Sequence, residues 1–187
     1  MLTSALLSLA LSGCSIVSPL PLWELAKAGG AAAGMSMGSG PVEASDTVFH
    51  PHEPFQALCI EFNPQVQAGD MVLALQDTLL KQRIQSRVYE SIAVAEKCHV
   101  WLKYQAEIEW GIPPMGDNYR PYLSRVTLTL RSARGTVLST SSYAMDPNSN
   151  FGKWTPTRDK LTPVVTALLT GVASPSTPNS AMKEGAL

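Results

Sequence analysis

Glu107 and Glu109 stand two positions apart in a stretch of strict alternation, so strand geometry sets them about 7 Å apart on one face. That spacing is tolerable for the acid and base of an inverting glycosidase, but no neighbouring residues outline a substrate cleft. Ser180 and Lys183 have the SxxK spacing of penicillin-binding transpeptidases. They fall in a Ser-, Pro- and Asn-bearing tail with no KTG after them, and a Ser–Lys pair without a helix start and an oxyanion hole does no acyl transfer. His50, His52 and Glu53 crowd one short segment, and His99 is the remaining histidine; a metal needs more convergent ligands than these. No HExxH, glycine-rich phosphate loop or GxSxG elbow occurs. The expectation is therefore no catalytic residue, no metal and no cofactor. An enzyme acting on a wall or sugar polymer through Glu107 or Glu109 is the alternative.

The cysteines carry a clearer chemistry. Residues 1–13 contain no charged side chain, run apolar from Leu2 to Leu11, and end in Leu11-Ser12-Gly13-Cys14. An apolar run of that length is a secretory signal rather than a membrane span. Small residues before a cysteine are what signal cleavage and diacylglycerol attachment to its thiol require, and the tetrapeptide resembles the lipobox of bacterial lipoproteins. Lipidation, with acyl chains such as palmitate, is expected at Cys14. No Lys or Arg precedes the run, so either the start lies upstream or the amino terminus supplies the positive charge. In the lipoprotein sorting rule, Asp after the lipidated cysteine holds a protein at the inner membrane. Ser15 instead points to the outer membrane, with the domain facing the periplasm. Cys59 and Cys98 are left in an oxidising compartment, where a disulfide is expected and two separate buried thiols are the alternative.

Two loops gather aromatic and hydrogen-bonding side chains. Residues 111–121 bring Asp117, Asn118, Tyr119 and Arg120 together with Trp110 and Tyr122 at the base, and residues 146–154 add Phe151 and Trp154. Rings stack on the C–H faces of sugars while polar groups read hydroxyls, so these residues are candidate binding positions. The plainer reading folds the loops over the core edge with their rings buried.

Composition bounds the partners. The 187 residues hold 14 Lys+Arg against 15 Asp+Glu, a net charge of -1, so no basic footprint for nucleic acid exists. With 45% hydrophobic and 16% charged residues a packed domain is expected. After the signal, residues 14–47 are rich in Gly, Ala, Ser, Met and Pro and read as a flexible tether. Residues 48–172 form the domain, and 173–187 a frayed tail.

The domain's elements follow from periodicity. A strand over 55–62 alternates Leu58, Ile60 and Phe62 inward, which leaves Cys59 out of phase. A helix over 69–83 has the apolar stripe Met71, Val72, Leu75, Leu79 and Leu80. A short strand covers 86–92. The next, over 99–110, places Val100, Leu102, Tyr104, Ala106, Ile108 and Trp110 on one face and His99, Trp101, Lys103, Gln105, Glu107 and Glu109 on the other. Strands over 122–131 and 136–145 form a hairpin. A last helix over 155–170 starts at Thr155-Pro156 or at Thr162-Pro163, or kinks at Pro163. The fold class is α/β (α+β), a small mixed sheet of about five strands in the order β-α-β-β-β-β-α. Two helices cover one face only. The uncovered face, with Glu107 and Glu109 set against Arg125 and Arg131, is either solvated or an interface in a homo-oligomer, with Trp101 as its anchor.

The lipobox, Cys59-Ile60-Glu61-Phe62-Asn63-Pro64, Ser86-Arg87-Val88-Tyr89 and Cys98-His99-Val100-Trp101-Leu102-Lys103-Tyr104 together resemble the small proteobacterial outer-membrane lipoproteins of the Sbal_3080 type, whose role is unassigned. More distantly, the lipobox and the β-α-β order are similar to the Pel export lipoprotein PelC and to the amino-terminal domain of TolB. The resemblance implies a non-catalytic envelope module. Its expected partners are the outer membrane through the anchor, and a peptidoglycan, exopolysaccharide or envelope-protein partner.

Overall fold

The computed structural model describes residues 42–66, 68–91, 93, 98–146 and 152–173. Cys14, the expected signal and tether up to residue 41, Phe151, and the tail from residue 174 lie outside them. The elements are β1 (Ser45–Phe49), β2 (Ala57–Glu61), α1 (Met71–Lys81), β3 (Gln85–Tyr89), β4 (Val100–Gly111), β5 (Arg120–Ser132), β6 (Val137–Ala144) and α2 (Thr157–Thr170). The expected β-α-β-β-β-β-α order is present from β2 onward. A sixth strand, β1, precedes it and straddles the tether boundary expected at 47.

The sheet order is β1-β6-β5-β4-β2-β3. Strand β4 pairs antiparallel with β5 along its whole length, from Val100 opposite Ser132 to Gly111 opposite Arg120. The β5–β6 hairpin turns at Gly135, whose φ of 85° no side-chain-bearing residue adopts cheaply. Strand β2 pairs in parallel with β3 and, for two residues only, with β4 (Cys59 with Trp101, Ile60 with Leu102). Parallel strands need a crossover, and α1 supplies it between β2 and β3.

Both helices lie on one face and touch each other. Their apolar stripes meet Leu58, Ile60, Leu102, Tyr104, Val126, Leu128 and Leu130 in a single core. Helix α1 ends with Arg83 at φ 63°, the Arg83 N–H donating to Leu80 O and the Ile84 N–H to Leu79 O at 2.9 Å each. This left-handed cap satisfies the last carbonyls and turns the chain into β3. Leu80 is exposed and Thr78 buried, so the apolar stripe ends one residue earlier than expected. Helix α2 begins at Thr157 with Pro156 as its cap and runs through Pro163 to Gly171. A Cβ on Gly171 would lie 2.8 Å from Phe49 Cγ, so β1 packs onto the helix end only because that position lacks a side chain.

Two expectations for the sheet faces need correction. Phe62 and Trp110 are exposed: Phe62 lies just past the end of β2, and Trp110 follows the register shift where β5 carries the extra residue Ser124 opposite Glu107 and Ile108. Trp101, expected on the bare face, is only 2% exposed. Its box consists of Cys59 beside it on β2, Arg131 opposite on β5, and Tyr89, whose ring meets it edge-on at 6.0 Å. The expected disulfide joins Cys59 to Cys98, Cα–Cα 6.1 Å. That explains why Cys59 is buried while out of phase with the core: the open face has a small buried layer of its own. Trp101 therefore does not anchor an interface.

Candidate functional site

Beyond this buried patch the open face forms a groove of about 500 Å³ lined by Glu61, Lys103, Gln105, Thr127, Thr129 and Arg131 across three strands, with Phe62, Asn63, Pro64 and Glu90 at its rim. It exists because β2 leaves β4 after two paired residues. Asn63 makes the departure: its side-chain amide donates to Tyr104 O at 3.1 Å, its backbone N–H donates to Tyr104 Oη at 3.1 Å, and its Oδ1 accepts from the Gln65 N–H at 3.0 Å. Glu61, the last residue of β2, forms an ion pair with Lys103 at 2.8 Å. The buried Arg131 Nε has no hydrogen-bond acceptor, and unpartnered buried donors are uncommon enough to need a reason. Alternation puts Lys103, Gln105 and Arg131 on the uncovered face, but the groove is not legible in the sequence, since it requires β2 to be placed beside β4.

The loop candidates occupy one end of the sheet. Trp110, Asp117, Asn118, Tyr119 and Arg120 are all exposed, whereas Tyr122 is buried and meets the Trp154 ring edge-on at 5.4 Å. The two loops thus do meet, through Tyr122 and Trp154. Lys153 Nζ lies 4.4 Å from the Tyr122 ring centroid and 5.7 Å from that of Trp154, within cation–π range. Tyr122 Oη donates to Glu109 at 2.6 Å. This bond, chiefly, holds the Glu109 carboxyl below its ordinary range, while desolvation and then Glu109 push the Tyr122 hydroxyl up to about 12. Glu107 pairs with Arg125 across the strands at 3.2 Å. Glu109 instead engages Tyr122, and Arg131 belongs to the groove.

Sequence reasoning missed Lys160. It is wholly buried, its Nζ donating to Leu123 O at 2.6 Å and to Lys153 O at 2.9 Å, between the rings of Tyr122 and Tyr143. Burial pushes its ammonium down to about 8. It ties α2 to β5 and to the Lys153–Trp154 segment, so the aromatic cluster is braced from the core side. A lysine preceding Leu161 in an amphipathic helix gave no sign of pointing inward. Among the described residues no group of His, Cys, Asp or Glu could hold a metal ion, and no helix is long and apolar enough to cross a membrane.

No family model matches the chain, and no curated protein matches it. Among solved structures it is similar to a single-substitution variant of PelC, a dodecamer from Paraburkholderia phytofirmans, at 14% identity and a TM-score of 0.43, covering 63% of this chain and 96% of that one. A second PelC dodecamer from the same organism matches at 15% identity and a TM-score of 0.41, with the same coverage. Likeness at this distance assigns neither a family nor a function.

Proposed function

We propose that the protein is a lipid-anchored, non-catalytic module of the outer-membrane envelope, facing the periplasm. It binds a cell-wall or polysaccharide partner, or a protein, in the groove of its open sheet face. The anchor rests on Leu11-Ser12-Gly13-Cys14, and the similarity to lipoproteins of the Sbal_3080 type agrees with it. The binding reading is carried by one observation, the buried Arg131 Nε without an acceptor. A buried polar group left unpaired costs about 1–3 kcal/mol, and a ligand hydroxyl or carboxylate would remove that cost. Thr127, Thr129 and Gln105 offer further hydroxyl and amide groups, and exposed Phe62 offers a ring at the rim. This combination suits a sugar polymer. Of the candidates for catalysis, Glu107 is paired with Arg125, and Glu109 accepts from Tyr122, a bond that lowers its carboxyl and suits it poorly to act as a general acid. Both facts favour binding over catalysis.

The test is co-sedimentation of the mature protein with peptidoglycan sacculi and with exopolysaccharide. Arg131→Gln and Phe62→Ala should each weaken retention about tenfold, the cost of one lost charge-assisted hydrogen bond or one stacking surface. Retention equal to wild type in both variants would remove the groove from the reading. A wild type retained by neither polymer would leave the protein partner, to be sought by crosslinking from the groove.

A further inference from the structure

The end of the sheet opposite the β5–β6 turn carries four large exposed hydrophobic side chains: Trp110 at 64%, Ile112 at 49%, Met115 at 73% and Tyr119 at 67%. They crown the β4–β5 hairpin, which extends past the last paired residue of β6, Ala144 opposite Arg125. Met115 is held out by its backbone. The Gly116 N–H donates to Pro113 O at 2.9 Å, closing a turn in which Met115 has φ 60°, a value that glycine ordinarily supplies. An apolar side chain at a strained, solvent-facing turn position points to a use outside the fold.

The chain enters the domain at this same end. Val42, the first described residue, is buried; a Cβ on Gly152 would lie 3.8 Å from its Cγ2 and 3.7 Å from Tyr143 Oη. The next residue, Lys153, brings its Nζ to 3.1 Å from where a Gly111 Cβ would be, at the foot of the hairpin. Residues 152 and 153 thus link the tether's arrival to the hairpin's base. The stretch back to Cys14 spans at most about 90 Å, so a lipid on Cys14 keeps this end of the domain within reach of the bilayer.

We propose that the β4–β5 hairpin tip is a second membrane contact, in which Trp110, Ile112, Met115 and Tyr119 enter the headgroup and upper acyl region of the leaflet that holds the anchor. Trp and Tyr favour that interface, and with a diacylglycerol anchor already holding the protein at the bilayer the tip has only to set the domain's orientation. Charge at the tip is sparse: Asp117 faces outward, and Arg120 at the base suits anionic phosphates. The proposal rests on lipidation of Cys14. It orients the domain with the tip down, leaving the groove to the side and the β5–β6 turn toward the periplasm.

The full-length lipidated protein, carrying Met115→Cys with a nitroxide label, is reconstituted in phosphatidylethanolamine/phosphatidylglycerol vesicles. Accessibility to dissolved oxygen and to a water-soluble nickel chelate is compared with a label at Arg134→Cys in the opposite turn; Ile112→Cys gives the same readout should the variant at 115 not fold. A several-fold higher oxygen-to-nickel ratio at 115 than at 134 is expected. Equal ratios would overturn the membrane contact, and shielding from both probes would assign the tip to a second protein copy instead. Intact mass reports the anchor separately: a chain without diacylglycerol on Cys14 would overturn the anchoring reading and the tip proposal with it, whereas a lipidated chain with equal ratios would overturn the tip alone.

Discussion

On the helix-covered face of the sheet, the four most deeply buried polar side chains are bonded inside the fold: Lys160 to Leu123 O and Lys153 O, Ser139 to Leu168 O, Ser141 to Thr47 and Thr78 to Ala74 O. On the open face, Glu61 and Lys103 form a partly buried ion pair and Arg131 Nε is buried with nothing to donate to. Both faces exclude water in places, but only the covered face matches every donor named here with an acceptor. Polar atoms there serve the fold, whereas the open face keeps an unspent donor beside a cavity large enough for a ligand. The boundary between the two regimes is the Trp101 patch, which sits on the open face and behaves like core.

That patch gives the largest test. Trp101→Ala should cost about 3–5 kcal/mol, as for other buried aromatic truncations, read as a lower denaturation midpoint with no change of mass in light scattering. A loss below about 1 kcal/mol would return Trp101 to the solvated face. Reducing the Cys59–Cys98 bridge, which closes a loop with a sequence separation of 39, should cost a similar amount, about 4 kcal/mol in the chain-entropy picture. A midpoint unmoved by reductant would deny the bridge its part in the patch.

Lys160 sharpens the covered side. Its folded value of about 8 lies below the ordinary 10.5, so between those values the unfolded chain holds a proton that the folded one has released. Stability should therefore rise with pH across that window and show no such slope below it. Above pH 10 the trend should reverse, because Tyr122 and Tyr143, both pushed up to about 12, keep protons that the unfolded chain loses. Lys160→Met should cost about 1–3 kcal/mol at neutral pH by stranding two carbonyls, and it should flatten the rise between pH 8 and 10.5. A rise that survives the substitution would belong to another group.

The smallest effect is expected from the Glu107–Arg125 pair. Both side chains are more than half exposed, and such pairs contribute about 0.2–1 kcal/mol. A double-mutant cycle in thermal melts should find a coupling in that range that fades with salt. A larger, salt-resistant coupling would show that this end of the open face is covered too.

How much of this was legible depended on how local the signal was. Strands β4 and β5 and their faces could be read because alternation needs only neighbouring residues, and α1 and α2 because their stripes repeat every turn. The burial of Trp101 could not, since it depends on β2 lying in parallel beside β4, which brings Cys59 and the Tyr89 ring of β3 to it. Strand β1 gave no pattern: Ser45, Asp46 and Thr47 look like the tether before them, and only pairing with β6 makes them a strand. Of the loop candidates, Tyr122 is part of the bracing rather than the surface, because its ring packs against Trp154 and its hydroxyl bonds Glu109. The groove follows from β2 ending early, where Asn63 turns the chain onto Tyr104, and a cavity between strands has no local signature.

Strand β1 has a further consequence, in the order of events as the chain is made. Ser45 bonds to Ser142, 97 residues later, so the first strand synthesised must wait for the last before it has a partner. Contacts so distant along the chain form late and slow the search, and an unpaired strand in that interval invites pairing with other chains. β1 is poorly suited to such errors: it has five residues, its register is broken between Ser45 and Val48, and Asp46 at φ 49° interrupts any flat edge. Only β6, together with the side-chain-free Gly171 that admits Phe49, offers it a seat. The irregularity that hides β1 in the sequence also protects the nascent chain until its final strand arrives.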